Sequence, residues 1–191
     1  MYLLLALVSG LLFGAWKFGL GRFRGTVSPY SIVLVSAAAA AIVYLVFGGM
    51  TSELIFDSHD LRPGVLGGVL NLIGNLLIVE AFARGKLAVV TGVALTAVLV
   101  PLAYSFMIGE SMTSAAAVGI VFLLAGLVLF YLPDMRKRSA TKSSKAAILL
   151  SLGAALAWGL AIIVIDIGSR ASIPATMLIS QLPQVAFTLV M

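Results

Sequence analysis

Residues 64–132 read GVLGGVLNLIGNLLIVEAFARGKLAVVTGVALTAVLVPLAYSFMIGESMTSAAAVGIVFLLAGLVLFYL, and this stretch decides the fold of the chain. It contains three apolar runs that are separated only by the tripeptides RGK at 84–86 and GES at 109–111. Each run is close to the roughly 20 residues that a helix needs to cross about 30 Å of hydrocarbon. Because the runs are continuous and do not alternate, they predict membrane-spanning helices and exclude the strands of a β-barrel. The short connections predict that successive helices run antiparallel.

The composition of the whole chain also indicates a membrane protein. Of its 191 residues, 62% are hydrophobic and 10% are charged, and the mean hydropathy is +1.18. A soluble domain carries about 25% charged residues, so most of this surface must face lipid or other helices. The positive residues behind the formal net charge of +5 lie in short loops beside the apolar runs, where they set orientation. They form no basic patch with interleaved aromatic residues, so we expect no nucleic-acid partner.

Residues typical of metal sites, disulfides and catalytic centres are almost missing from the sequence. There is no cysteine, and the one histidine, His59, stands beside Asp57 and Asp60 in a polar loop. We interpret this loop as a solvated acidic turn. The sequence shows no nucleophile and base in a recognisable pattern and no cofactor motif. We therefore expect a protein that is not an enzyme and that holds no metal and no cofactor.

Seven apolar runs in all are long enough to be membrane spans. Residues 2–20 lack the basic start and the small-residue cleavage site of a signal peptide, so they count as a retained span. The loops between spans alternate in charge: the odd-numbered loops are basic and the even-numbered loops are acidic. The positive-inside rule then places the odd-numbered loops in the cytoplasm and the N-terminus outside the plasma (inner) membrane. The predicted spans are 2–20, 29–47, 64–83, 87–108, 115–132, 146–165 and 174–191.

A basic linker, DMRKRSATKSSK at 134–145, divides the chain into residues 1–133 with five spans and residues 146–191 with two. A shift of about 145 residues superposes Pro29 on Pro174 and the Phe-Gly pair at 13–14 on the Trp-Gly pair at 158–159, a weak symmetry typical of transporter repeats. Because five is an odd number, the second copy must start on the opposite side of the membrane, which makes the repeat inverted.

The repeat defines the predicted fold class. We expect an all-α, polytopic helical membrane protein with about seven transmembrane helices, built as a five-helix inverted repeat with a partial second repeat. Since only two of the five helices of the second repeat are present, we expect the sequence to be the front portion of a chain of about ten spans.

Three motifs in the third to fifth spans carry a family resemblance. They are EAFARG at 80–85, IGESMT at 108–113, and the spaced glycines Gly119 and Gly126. In this pattern the chain resembles the EamA repeat of the drug/metabolite transporter superfamily. The resemblance implies two five-helix repeats around a central cavity and a secondary transporter, commonly an exporter of small metabolites or drugs. The chain departs from the family at two positions. It carries an acid at Glu80, where the family often has an aromatic residue, and its proline is Pro101, whereas the family often has proline about one helical turn earlier, near Ala97.

Two asparagines near the middle of the third span are the first candidates for a site. Asn71 and Asn75 are four residues apart and therefore share one helix face. One interpretation is hydrogen bonding between helices, which contributes about 0.6 kcal/mol on average in membrane proteins. The other is a substrate cavity, because transporter sites lie near the bilayer midplane. Gly64 and Gly68 on the same span form a small-xxx-small pair, which predicts close helix packing.

Aromatic residues and a proline extend the candidate cavity. Trp158 and Tyr104 either belong to the aromatic belts at the membrane interfaces or line the cavity, where flat rings suit apolar and cationic ligands. Pro101 interrupts the fourth span and frees a carbonyl one turn earlier, which is tolerated only against protein or a cavity. The middle of the fourth span is therefore a candidate cavity wall.

Glu80 has two interpretations. It precedes Arg84 by four residues, the spacing of a helical ion pair, and we favour that pair. The alternative is a carboxylate for proton coupling, which requires Glu80 to face a wet cavity and to titrate near neutral pH.

The function expected from these features is secondary transport. The chain would move small metabolites, amino acids or drugs across the inner membrane as an exporter, by alternating access between inverted repeats. The expected partners are a small-molecule substrate and the lipid bilayer. The alternative is a seven-helix receptor or sensor without enzymatic activity, which the span count permits and the repeat symmetry argues against. The span at 174–191 has no lysine, which a retinal protein needs.

Overall fold

The computed structural model describes residues 19, 27–111, 113–114, 117–122, 125–126, 145–169 and 172–191. Within these ranges the secondary structure is helical, and five helices are long and apolar enough to cross a membrane. The predicted helical membrane fold is confirmed at this level. The span predicted at 2–20 and the linker at 134–145 lie almost entirely outside the described residues, and of the span predicted at 115–132 only 117–122 and 125–126 are described. The count of seven helices and the inverted repeat stay predictions.

The helices of the described ranges follow the hydropathy of the sequence. The third and fourth are joined by a 3-10 turn at Thr96–Val98 and form one candidate span, Leu87–Met107. The helices are α1 Pro29–Thr51, α2 Ser58–Arg84, α3 Leu87–Leu95, α4 Leu99–Met107, α5 Lys145–Gly168 and α6 Ile173–Val190.

Helix α2 begins at Ser58, earlier than the apolar run that starts at 64, because polar residues build its first turn. Asp57 is the N-cap, and its Oδ1 accepts a hydrogen bond from the backbone N–H of His59 at 3.3 Å. This hydrogen bond, together with one from the Ser58 hydroxyl, lowers the pKa of Asp57. Pro63 is accommodated inside the helix close to this start. The N-cap thus extends α2 beyond its hydrophobic segment.

Glycines on α2 show how α5 packs on it. A Cβ added at Gly67 would lie 2.5 Å from Ile165, and one added at Gly74 would lie 2.5 Å from Trp158. Residue numbers therefore rise along α2 as they fall along α5, and the two helices are antiparallel. In membranes, close approach of this kind supplies the van der Waals contact that holds helices together, since burial from lipid gives no hydrophobic gain.

Helix α6 packs against both α2 and α1. On α2, Gly64 lies against Ile179 and Gly68 lies against the backbone carbonyl of Ser180, so α2 and α6 run parallel. The packing role predicted for Gly64 and Gly68 is confirmed. On α1, the ring of Tyr30 lies 6.3 Å from the ring of Phe187 near the end of α6, so α1 and α6 run antiparallel.

The break between α3 and α4 follows from Pro101, which has no amide hydrogen to give to the carbonyl of Ala97. That carbonyl lies against Gly159 of α5, where an added Cβ would approach it to 2.8 Å. A freed carbonyl in a membrane helix is tolerated against protein or in a cavity, and here the carbonyl of Ala97 packs against protein. Val100 contacts Gly159 as well.

Charges separate to the two ends of the described bundle. Helix α2 ends where α3 and α5 begin, and this basic end carries Arg84, Lys86 and Lys145. At the other end, the hydroxyl of Ser172 donates to the backbone carbonyl of Glu53, which ties the start of α6 to the loop after α1. This acidic end carries, beside His59 and Arg62, the residues Glu53, Asp57, Asp60, Glu110 and Asp166.

Candidate functional site

Helix α6 carries a stripe of polar side chains at helical spacing, and all of them are buried. In a membrane helix, polar residues are costly and turn towards the protein interior. Sequence reasoning passed over this stripe. The two glutamines, three apart in an apolar run, were the available signal. The polar stripe consists of Thr176, Ser180, Gln181, Gln184 and Thr188.

Three side-chain amides form a continuous hydrogen-bonded chain between α2 and α6. The Nδ2 of Asn75 donates to the Oε1 of Gln184 at 2.8 Å. The Nε2 of Gln184 in turn donates to the Oε1 of Gln181 at 3.1 Å. The Nε2 of Gln181 donates to the hydroxyl oxygen of Ser180 at 3.0 Å. We call Asn75, Gln184, Gln181 and Ser180 the amide chain.

The amide chain lies deep in the bundle. Asn75 is about 14 Å from Arg84 along α2 at 1.5 Å per residue, near the middle of a hydrocarbon layer about 30 Å thick. Asn75 is half-buried, and an asparagine amide has two donor hydrogens and a carbonyl oxygen. The structure shows one side-chain hydrogen bond for it, with Gln184. The Oδ1 of Asn75 therefore remains able to accept a hydrogen bond from a bound molecule.

The other predicted cavity residues lie at different distances from the amide chain. Asn71 is one turn from Asn75 on α2 and half-buried. Trp158 of α5 lies against Gly74, the neighbour of Asn75, and so sits at the depth of the amide chain. Tyr104 is 37% exposed on α4, about one turn from Val100 towards the acidic end. The structure thus brings Trp158 close to Asn75 and leaves Tyr104 apart from it.

Glu80 forms the predicted ion pair with Arg84. The Oε1 of Glu80 lies 2.6 Å from the Nη2 of Arg84, and it accepts a hydrogen bond from Nε at the same distance. The two side chains are 46% and 53% exposed at the basic end of α2. Exposed pairs of this kind contribute about 1 kcal/mol or less. The alternative role of Glu80 in proton coupling stays a prediction.

Asp60 corrects the interpretation of its loop as a solvated acidic turn. Asp57 and His59 are exposed, but Asp60 is 0% exposed. Neither carboxylate oxygen of Asp60 has a hydrogen-bond partner in the described structure. Helices α5 and α6 pack on this end of α2, where Gly168 lies against Pro63 and Gly64 lies against Ile179. These contacts are distant in sequence, so the local sequence gives no sign of the burial.

A cavity of about 240 Å³ lies at the acidic end, between α4 and the residues that follow it. Its walls combine apolar side chains with one carboxylate and three hydroxyls. They are Leu102, Ser105, Phe106, Glu110, Ser111, Thr113 and Ile120.

Among the residues that the structure describes, no three His, Cys, Asp or Glu side chains lie close enough to hold a metal ion. Comparison of the chain with protein-family models, with curated proteins and with solved structures gives no match. The resemblance to the EamA repeat therefore rests on the sequence motifs alone.

Proposed function

We propose that this protein is a secondary transporter for small polar molecules, working by alternating access between inverted repeats. The observation that carries the proposal is the amide chain, buried between two apolar helices near the middle of the bundle. A single hydrogen bond would be enough to fix the position of α6 on α2. In the described structure one hydrogen bond, from Asn75 to Gln184, joins α2 to α6, while Gln181 and the Asn75 carbonyl oxygen, which has no partner among the described residues, go beyond what this packing requires. Polar residues inside a membrane mark substrate pathways.

The packing of α1 and α6 supports the inverted repeat. These two helices are the proposed counterparts in the two copies. Each begins after a serine and carries a proline in its first turn, Pro29 in α1 and Pro174 in α6. They cross the bundle in opposite directions and pack against each other, as counterparts in an inverted repeat would about a twofold axis.

The chemistry of the amide chain suggests the substrate class. Amides offer both donors and acceptors without a formal charge, which suits neutral or zwitterionic molecules such as amino acids and small metabolites. The indole of Trp158 at the same depth adds a face for apolar or cationic groups, as in many drugs. Export is the direction that the resemblance to the EamA repeat implies.

Ligand binding can be followed through Trp158, because the chain has only two tryptophans. In a Trp16→Phe variant, a saturable change in fluorescence is expected with some members of a panel of amino acids, small metabolites and cationic dyes. The same change should disappear when Asn75→Leu is added. Compounds that bind should then undergo counterflow in proteoliposomes. If no panel compound changes the fluorescence, or if Asn75→Leu leaves binding intact, the amide chain is not a substrate site.

The charge separation supports an orientation in the plasma (inner) membrane with the basic end in the cytoplasm and the N-terminus outside. The cysteine-free chain allows a direct measurement. A single cysteine at Glu53 should react with a membrane-impermeant maleimide on intact cells. A single cysteine at Lys86 should react only after permeabilisation. Both positions are exposed, so the opposite pattern would invert the topology.

A further inference from the structure

Asp60 is a buried carboxylate that the proposed substrate site does not use. It is 0% exposed, and the described structure gives neither of its oxygens a hydrogen-bond partner. An ionised carboxylate in such a place loses its hydration and gains nothing in exchange. A buried polar group without a partner is rare enough to require an explanation.

The two hydroxyls at the start of α6 that are level with Asp60, those of Ser172 and Thr176, cannot donate a hydrogen bond to its carboxylate. Asp60 lies one turn before Gly64, which packs on the backbone carbonyl of Thr176, so it is level with the start of α6. The buried hydroxyl of Ser172 already donates to the carbonyl of Glu53, and that of Thr176 donates to the carbonyl of Ser172. Each hydroxyl has one hydrogen, so neither can donate to Asp60 while these bonds persist.

The position of Asp60 in the first turn of α2 favours a negative charge through the helix dipole. That effect is smaller than the cost of removing an unpaired carboxylate from water. Burial without a partner therefore disfavours a charge on this side chain in the packed arrangement.

We propose that Asp60 binds and releases the proton that is coupled to transport, an inference that rests on the proposed function. A proton from the water at the acidic end adds to one carboxylate oxygen, and the neutral acid permits α5 and α6 to close on α2. When the α2–α6 contact opens, water reaches Asp60 and the proton leaves. The same contact carries the amide chain, so protonation and access to the substrate site change together.

The charged groups of the acidic end lie on α2, on the loop before it, after α4 and at the end of α5. Helices α1 and α6 carry no charged side chain. Arg170 falls outside the described residues. The other charged groups that the structure describes at this end are exposed, namely Glu53, Asp57, His59, Arg62, Glu110 and Asp166.

The first experiment measures proton binding without transport. The purified chain is melted in detergent from about pH 5 to about pH 9. Its stability should fall as the pH rises, because under the proposal the folded state binds a proton at Asp60 that the unfolded state releases. Asp60→Asn should remove most of this dependence, since the amide cannot ionise. Asp166→Asn, the same change at an exposed aspartate of the same end, should keep it. An unchanged pH dependence in Asp60→Asn overturns the proposal, whether or not transport is found.

The second experiment uses proteoliposomes and a substrate found in the binding screen. A proton gradient should drive accumulation by the parent protein, and Asp60→Asn should reduce it to the level without a gradient while retaining counterflow. Counterflow that is absent in the parent protein would contradict the transporter and leave the melting result standing.

Three outcomes would reassign the role of Asp60. Accumulation driven by a sodium gradient and lost in Asp60→Asn would make the ligand sodium. If the pH dependence of melting is lost in Glu80→Gln and retained in Asp60→Asn, the proton belongs to Glu80. If Arg170→Gln reproduces Asp60→Asn and the double variant is no worse, Asp60 is one half of an ion pair. Each of these results overturns the proposal.

Discussion

Replacing Gln184 by leucine is expected to lower transport about tenfold or more, because the variant no longer orients the amides of Asn75 and Gln181 towards a substrate, and tenfold corresponds to about 1.4 kcal/mol of binding free energy. Gln184 is the centre of the amide chain: it accepts from Asn75 and donates to Gln181. Leucine has nearly the same volume as glutamine but has neither the carbonyl oxygen that accepts nor the amide nitrogen that donates. The melting temperature should change little, since hydrogen bonds between membrane helices contribute about 0.6 kcal/mol on average.

A matched control for Gln184 lies one turn further along the same face of α6. The hydroxyl of Thr188 donates to the backbone carbonyl of Gln184, within its own helix. Thr188→Val keeps the shape of the side chain and leaves the amide chain intact, so transport should stay within about twofold. Counterflow and melting are measured for both variants. If Gln184→Leu unfolds the protein easily but the remaining folded fraction transports normally, the amide chain is structural.

A double-variant comparison separates substrate binding from helix packing. If Asn75 and Gln184 act on the substrate through their shared hydrogen bond, Asn75→Leu and Gln184→Leu together should reduce transport little more than either alone. Independent effects on transport would indicate that each side chain contacts the substrate by itself.

The helical fold was predictable because the bilayer imposes one dominant rule. Backbone groups in hydrocarbon must be satisfied within the segment, so a long apolar run is a helix regardless of its neighbours. Five of the predicted spans are confirmed for this reason. The start of α2 at Ser58 was missed because its first turn is polar, and its N-cap at Asp57 lies outside the apolar run.

The parts of the candidate site that depend on long-range contacts could not be predicted from the sequence. The spacing of Asn71 and Asn75 places both on one face of α2, because a four-residue spacing is a local property, and Asn75 of that pair contacts α6. The partner of Asn75, Gln184, is 109 residues away along the chain, and no local pattern pairs the two. The burial of Asp60 is of the same kind, since it depends on helices far along the sequence.

The ion pair of Glu80 and Arg84 shows the opposite case. Four residues on one helix bring the two side chains together whatever the rest of the fold does, and the pair was predicted correctly. What the pair does in the protein depends on where α2 lies, and the sequence alone left that open.

The substitution Gly68→Ala is expected to destabilise the protein by about 1–3 kcal/mol, because the added methyl group has no space. A Cβ at this position would lie 2.3 Å from the carbonyl oxygen of Ser180 and 2.9 Å from its carbonyl carbon. Both are backbone atoms, so no side-chain rotation can relieve the clash. Helices α2 and α6 must move apart, which also lengthens the hydrogen bond between Asn75 and Gln184.

Gly49→Ala on α1 is the matched control, because a Cβ there has no heavy atom within 4 Å in the described structure. Alanine favours a helix over glycine by up to about 1 kcal/mol, so this variant should melt at the same temperature or slightly higher. Thermal melting in detergent compares the two. Equal melting temperatures would show that α2 and α6 do not pack through Gly68. In that case the proposed roles of the amide chain and of Asp60 would both fail, because both depend on the contact between α2 and α6.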